Sequence, residues 1–190
     1  MFVSFDCEFT RLTDQAELIS FGAISETGDT LYRELAPIVC EECSNFVRTK
    51  VLPLFNGGEA SCERQIFVDV LVRWLERIPA PVLLCDSVWD IYVLTGEIGY
   101  RSREARELIL PGLRNPVPIS LVTDMSGTVQ AAVAEGKQQF WLRNTSLRPH
   151  HALNDACALM NGWLGAVANL PSASLFTAVG TKSASEQGYK

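Results

Sequence analysis

The sequence predicts an α/β domain: a mixed five-stranded sheet, three antiparallel strands continuing into two parallel ones, flanked by helices. Three observations carry that prediction. Residues 2–35 hold three apolar runs of strand type joined by short connections, and from Ser61 onward helical and strand patterns alternate. In addition, 190 residues of which 47% are apolar supply enough material for one full core.

Taken in order, Phe2 to Phe9 is apolar and aromatic and reads as a first strand, Glu17 to Ile24 as a second, and Thr30 to Leu35, after the turn Glu26-Thr27-Gly28-Asp29, as a third. The turn-rich connection from Pro37 to Gly58 carries one short helix near Ser44 to Leu52. From Ser61, a good N-cap, Ile66, Phe67, Val70, Leu71, Trp74, Leu75 and Ile78 recur at the helical period until Pro79 and Pro81 stop it. Val82 to Cys85 is a short buried strand, and Asp86 or Ser87 caps a helix running through Trp89, Asp90 and Tyr92 toward Gly96. Arg101 to Glu107, with alternating charge, reads as a solvated helix face, although its arginines are also suited to phosphate. Val117 to Thr123 makes a fifth strand, Thr128 to Trp141 a helix, and His150 or His151 to Leu170 the last helix. Pro171 to Lys190, rich in Ser, Ala, Thr and Gly, is expected to be a flexible tail.

The charge balance narrows the function. With 16 Lys+Arg against 22 Asp+Glu the net charge is −6, which argues against a protein that holds nucleic acid by being basic. It leaves room for an enzyme that brings phosphate in on metal ions. The start of the chain lacks a basic n-region and Asp6 interrupts its apolar run, so no secretory signal is read and a cytoplasmic protein is expected. The six cysteines are then reduced thiols, and Cys40-x-x-Cys43 lacks the second pair of a zinc finger. Ala156 to Thr181 contains no charge, but Asn161, Asn169, Gly162, Gly165 and Pro171 interrupt it, and its apolar part ends at Leu170, too soon to span about 30 Å of hydrocarbon. No membrane partner is expected.

The chemistry concentrates in three places. Asp6 and Glu8 sit two apart on the first strand, so both carboxylates project from one face while Cys7 points to the other. Val3, Phe5 and Phe9 mark that strand as buried, and two acids there need a partner. Asp90 lies early in the helix after the Val82 to Cys85 strand, where α/β sheets bind ligands; a helix N-terminal charge explains it equally, and Asp86 competes for either role. His150-His151-Ala-Leu-Asn-Asp155 opens the last helix. There Leu153, Ala156, Cys157, Met160, Trp163, Leu164 and Val167 form an apolar stripe, and Asp155 falls about 200° round from Leu153, off the heaviest core face.

As an ordered set, Phe5-Asp6-Cys7-Glu8-Phe9-Thr10, Val88-Trp89-Asp90 and His150-His151-Ala-Leu-Asn-Asp155-Ala resemble the three motifs of the DEDDh 3′-to-5′ exonucleases of the ribonuclease H-like superfamily. That group includes oligoribonuclease, ribonuclease T and polymerase proofreading domains. The third motif is the most specific, with the family's four residues between His and Asp. Asp86 departs from the family, many members of which have Asn four residues before the second-motif acid. By order of motifs the resemblance spans residues 1–170, which sets the exonuclease domain at 1–170 and the tail at 171–190.

The resemblance implies a ribonuclease H-like sheet, two divalent cations (Mg²⁺ or Mn²⁺) held by Asp6, Glu8, Asp90 and Asp155, and hydrolysis to nucleoside 5′-monophosphates. Asp6 would bridge the two ions, and His150 would be the general base for the attacking water. His151 is the rival base, since at i, i+4 it shares a helical face with Asp155. Phe9 and Thr10 follow the first motif, where the family receives the terminal nucleotide; Phe9 is either a packing aromatic for sugar or base or part of the core, and Trp89 and Trp141 pose the same choice. Arg11, Arg143 and Arg148 are placed to steer phosphate or simply to solvate the surface. A free-standing small member is closer to the exoribonucleases, which makes single-stranded RNA the expected substrate, with DNA or short oligonucleotides as the alternative. The rival of a different class is a non-catalytic binding module of the same fold; either way a homodimer is admitted.

Overall fold

In the computed structural model, which describes residues 1–171, a seven-stranded sheet is covered by four helices. The expected tail, apart from Pro171, lies outside the described residues. The strands are β1 (Phe2–Phe9), β2 (Leu18–Ser25), β3 (Thr30–Ala36), β4 (Ser61–Glu63), β5 (Val82–Cys85), β6 (Glu107–Leu108) and β7 (Val117–Leu121). The helices are α1 (Arg64–Leu75), α2 (Val88–Glu97), α3 (Gly127–Arg143) and α4 (Ala152–Asn169). The sheet order is β4-β3-β2-β1-β5-β7-β6. Strands β1, β2 and β3 form an antiparallel meander and β1, β5 and β7 a parallel run. The five expected strands are the central five, in the expected sense, and the arrangement is the expected ribonuclease H-like one.

The two further strands are edge pieces of two or three residues, too short to carry an alternation signal. One of them corrects the reading of Ser61. That residue caps no helix: Ser61 to Glu63 pairs with the outer edge of β3 at Glu34 to Ala36, and α1 begins at Arg64. Backbone groups that find a strand edge have no need of a cap, and Ile66 is left 47% exposed. The Arg101 to Glu107 segment is likewise no helix. Arg101 donates to the carbonyls of Asp14 (3.0 Å) and Ala16 (2.7 Å), and Arg103 pairs with the Asp14 carboxylate at 2.5 Å. Fixed acceptors on the loop after β1 thus hold the segment in an irregular, bent path up to β6.

The short helix expected near Ser44 to Leu52 is present as a wide helical turn, Val47–Val51, followed by a tighter one, Leu52–Leu54. Its Val47 and Val51 pack with Ile19 and Cys43 as a small satellite core. All six cysteines are free thiols. No helix among the described residues is long and apolar enough to cross a membrane.

The sheet separates two apolar layers. Val3, Phe5 and Cys7 of β1 face α1 and α2, with Phe21, Phe67 and Leu71. Leu84, Val122, Val129, Val133, Leu159 and Trp163 pack on the α3 and α4 side. The stripe expected on α4 holds for Ala156, Met160 and Trp163, but Leu164 and Val167 are 42% and 41% exposed. Small residues take their place: Ala152, Gly162 and Ala166 are buried against the sheet and α3. Backbone must approach backbone here. A Cβ on Gly22 of β2 would lie 2.1 Å from the Leu153 nitrogen, and one on Gly162 would lie 2.4 Å from the Val133 carbonyl oxygen.

Gly22→Ala and Gly162→Ala are therefore expected to lose about 1–3 kcal/mol or more in thermal or urea unfolding, because no side-chain rotation relieves a clash with backbone. Gly165, also in α4, meets nothing within 4 Å, so Gly165→Ala is expected to be neutral or to gain about 0.5–1 kcal/mol from helix propensity.

Candidate active site

The alternation of β1 puts Ser4, Asp6 and Glu8 on the face turned to α4, where Ser4 Oγ donates to the Ala156 carbonyl at 2.7 Å. Strand β1 pairs with β5 only from Phe2 to Ser4. Beyond that point the two strands part and open a cleft at their carboxyl ends. Asp90 enters it: Ser87 caps α2 by accepting from the Trp89 N–H at 3.1 Å, which places Asp90 in the first helical turn. Its Oδ1 accepts from the Cys7 N–H at 3.3 Å, a donor that β5 would otherwise have satisfied. Its Oδ2 is buried with no hydrogen-bond partner.

Asp155 sits in the first turn of α4, where its Oδ2 accepts from the His150 N–H at 2.7 Å. It is half-buried and stands next to Ala156, which is fully buried where its carbonyl meets Ser4 of β1. Leu159, Gly162 and Ala166, at i+4, i+7 and i+11 from Asp155, are buried, with Gly162 against α3. Of the long side chains in the expected stripe, Met160 and Trp163 are buried while Leu164 and Val167 are exposed.

Two groups of three carboxylates result, each with its oxygens within 4.8 Å of one another: Asp6, Glu8 and Asp155, and Asp6, Asp86 and Asp90. Asp6 belongs to both. The structure thus brings together all four acids singled out in the sequence and adds Asp86, which had appeared as a competitor of Asp90. Among the described residues these are the groups suited to a metal ion, and no cysteine takes part.

Such a gathering is electrostatically expensive. Burial, then the neighbouring charges of Asp90, Asp155, Glu8 and Asp86, pushes the Asp6 carboxyl well above the usual range. Burial and the Asp86 charge do the same to Asp90, while burial and Asp155 push Glu8 up to about 8. Asp155 is raised by burial, against the His150 N–H that lowers it.

One cation answers these charges. Lys137 of α3 forms an ion pair with Asp86. Burial works against its ammonium, but Asp86, Asp6 and Asp155 together outweigh burial and hold it above the usual lysine range. Lys137 reaches the cleft because α3 and α4 touch at glycines: a Cβ on Gly136 would lie 2.6 Å from Gly162 Cα. A single lysine in a mixed helix gives no sequence signal. The two glycines were the only trace of it.

The imidazoles stand outside both acid groups. His150 has a left-handed backbone (φ 66) and an exposed ring, edge-on to Phe46 at 4.9 Å. His151 stacks on Tyr32 at 4.4 Å, its Nδ1 is buried and unpartnered, and burial lowers its pKa. Half-buried Phe9 stacks with Trp89 at 6.0 Å, and Arg103 lies over the Trp89 ring at 4.3 Å, so the two aromatics form a wall beside the acids. Thr10 is buried, with its hydroxyl accepting from the Glu17 N–H at 3.1 Å. Trp141 packs edge-on to Phe140 at 5.2 Å, Arg11 pairs with Glu42 at 3.4 Å, and Arg143 and Arg148 are exposed.

With this geometry in view, likeness to known proteins is limited to shape. No family model and no curated protein matches the chain. Among solved structures, a moderately thermophilic exonuclease I from Methylocaldum szegediense superposes with a TM-score of 0.52 at 14% identity. The two chains share a fold. The match takes in 84% of this chain and 38% of that one, so this chain spans well under half the length of the exonuclease I it resembles.

The raised carboxyls set a pH dependence for the metal-free protein. A folded state that holds a proton on Glu8 up to pH about 8, against 4.5 for the ordinary group, has the advantage of that proton at low pH and loses it as pH rises from about 4.5 to 8. Melting temperature in chelator is expected to fall across that window, and Glu8→Gln to flatten the fall. Lys137→Ala, which strips Asp86 of its counter-charge, is expected to lose about 1–2 kcal/mol in chelator at neutral pH by urea unfolding.

Proposed function

We propose that the chain is a metal-dependent 3′-to-5′ exonuclease acting on single strands, RNA first and DNA or short oligonucleotides as the alternative. The observation that carries this reading is the convergence of Asp6, Glu8, Asp86, Asp90 and Asp155 into two oxygen-rich groups that share one carboxylate. Hard divalent cations suit such donors, and Mg²⁺ or Mn²⁺ is the natural occupant. The residues fit that role on a second count: the buried Asp90 Oδ2 has no hydrogen-bond partner, the state of an acceptor that a cation would complete.

Asp6, Glu8 and Asp155 would hold one ion and Asp6, with Asp90 and Asp86, the other. A bound pair of ions supplies charge stabilisation to the attacking and leaving oxygens of a phosphodiester. The protein residues do the rest. The His150 N–H fixes the Asp155 carboxylate, and the exposed His150 imidazole is free to turn and take the proton of the attacking water. His151 is the weaker candidate, because its ring is already committed to Tyr32. Phe9 and Trp89 offer apolar surface to the terminal sugar or base, and the buried Thr10 hydroxyl supports the loop behind them rather than the substrate.

The test is degradation of 5′-labelled RNA and DNA, single- and double-stranded, with Mg²⁺, Mn²⁺ or chelator. A ladder that shortens from the 3′ end only with metal is expected, and Asp6→Asn should abolish it. His150→Ala is expected to lower turnover about 10²- to 10⁴-fold and to remove the acid limb of the pH–rate profile, while His151→Ala retains that limb. In parallel, saturating metal at about 100 times its Kd should add about 2.7 kcal/mol of stability to the wild type and nothing to Asp6→Asn. A protein neither stabilised by metal nor active with it would be a binding module of the same fold.

A further inference from the structure

The far side of the sheet carries a feature that the acid cleft does not use. A cavity of about 890 Å³ opens at the outer edge of β3, lined by Thr30, Arg33, Glu59, Arg73, Trp74 and Arg77 among others. Three guanidinium groups face one carboxylate there, in a chain whose net charge is −6. The nearest acids in and just after α1 do not neutralise them: Glu76 pairs with Arg114 at 3.2 Å, and exposed Asp69 makes no ion pair among the described residues. Arg33 donates to its neighbour's carbonyl, Tyr32 O, at 2.6 Å, and no carboxylate lies within salt-bridge distance of Arg33, Arg73 or Arg77 among the described residues.

Arg73 stands in the last turn of α1 and Arg77 in the turn that follows it, where the Arg77 N–H donates to the Trp74 carbonyl at 3.2 Å; both line the cavity, and like charges gathered there repel one another. An anion between them reverses the sign of the effect. Guanidinium is the side chain whose planar fork suits phosphate oxygens. Trp74, 4% exposed, gives the cavity a rigid floor.

The cavity comes near the cleft at Tyr32, one of its lining residues: Asp6 pairs with Gly22, and Gly22 with Tyr32, so Asp6 and the Tyr32 position are two strand spacings apart, roughly 10 Å, and the arginines lie round the β3 edge from there. Strand β4 covers the outer edge of β3 only from Glu34 to Ala36, which leaves the edge from Thr30 to Arg33 open between the two faces.

We propose that Arg33, Arg73 and Arg77 form an anchoring site for the phosphodiester backbone of a single strand whose 3′ end lies in the acid cleft. The strand passes over the open edge of β3, and the site takes its upstream phosphates. This rests on the proposed function only in taking nucleic acid as the substrate.

The experiment compares wild type with Arg73→Gln/Arg77→Gln and with Glu59→Gln, all exposed positions where folding is checked by circular dichroism. Fluorescence anisotropy in chelator measures binding of a long single-stranded oligonucleotide and of a trinucleotide, as RNA and as DNA, over a salt series. The double variant is expected to weaken the long strand and to reduce its salt slope by about 1.4, two phosphates at about 0.7 each. Glu59→Gln should tighten it, and trinucleotide turnover with Mn²⁺ should be unchanged in both variants. A salt slope the same in a folded double variant overturns the site, as does a wild type that holds the long strand no tighter than the trinucleotide. Displacement of inorganic tripolyphosphate from the cavity with no effect on the strand overturns it too, in favour of a small-anion site. Failure of the wild type to cleave any strand bears on the proposed function alone, because the binding measurement contains no metal.

Discussion

Five carboxylates held in one desolvated cleft repel one another, and much of the structure is arranged around that repulsion. Burial pushes Asp6, Glu8, Asp90 and Asp155 toward the protonated form, and neighbouring charges add to it for Asp6, Glu8 and Asp90. The protein answers with fixed dipoles and one charge. Asp90 and Asp155 stand in the first turns of α2 and α4, where the macrodipole favours negative charge, and each accepts a backbone N–H, from Cys7 and His150 respectively. Among the described residues Lys137 supplies the one ammonium in contact with the group, through Asp86. What remains is a demand for positive charge, which a cation bound between the two carboxylate groups could meet.

Geometry that meets this demand comes from places where side chains are absent. β1 and β5 separate after Ser4, which frees the Cys7 N–H for Asp90. Gly22 lets the start of α4 rest on β2, and Gly136 with Gly162 lets α3 rest on α4. The first contact sets the depth of Asp155; the second brings Lys137 over the cleft. Acidic placement and glycine placement are therefore one design, since a Cβ at either contact would move a charge relative to the others.

The two faces of the sheet divide the work. On the α4 face, rows of residues run across β1, β2 and β3: Asp6 beside Gly22 and Tyr32, Glu8 beside Ser20 and Glu34. Glu34 is buried but well satisfied, accepting from the Tyr32 hydroxyl at 2.9 Å, from Asn56 N–H at 2.5 Å and from Gly57 N–H at 2.9 Å. That acid fixes a loop, whereas the Asp6 and Glu8 carboxylates in the cleft have no hydrogen-bond donor among the described residues. Satisfaction by hydrogen bonds is what separates a structural carboxylate from a ligand-seeking one. The opposite face holds the large aromatic core and, at its edge, the arginine cavity.

Periodicity and local chemistry made the five central strands, the principal helices and the four motif acids legible in the sequence, because each rests on interactions within a few residues: alternation on β1, the Ser87 cap of α2, the opening of α4. Where reading failed, the missing information was long-range. Ser61 to Glu63 is a strand because the β3 edge is there to pair with, and Arg101 to Arg106 is an irregular loop rather than a helix because Asp14 and Ala16 present acceptors. How deeply α4 settles follows from Gly22, which admits its first turn to the sheet, and from Gly162, which admits α3, neither of which the apolar stripe announces. Thus the sequence by itself determined which residues carry the acid chemistry and on which elements. Only the tertiary structure decided that Asp86 joins them, that Lys137 is their counter-charge, and that three arginines meet in one cavity. The physical reason is that charges separated along the chain interact only after packing has removed the water between them.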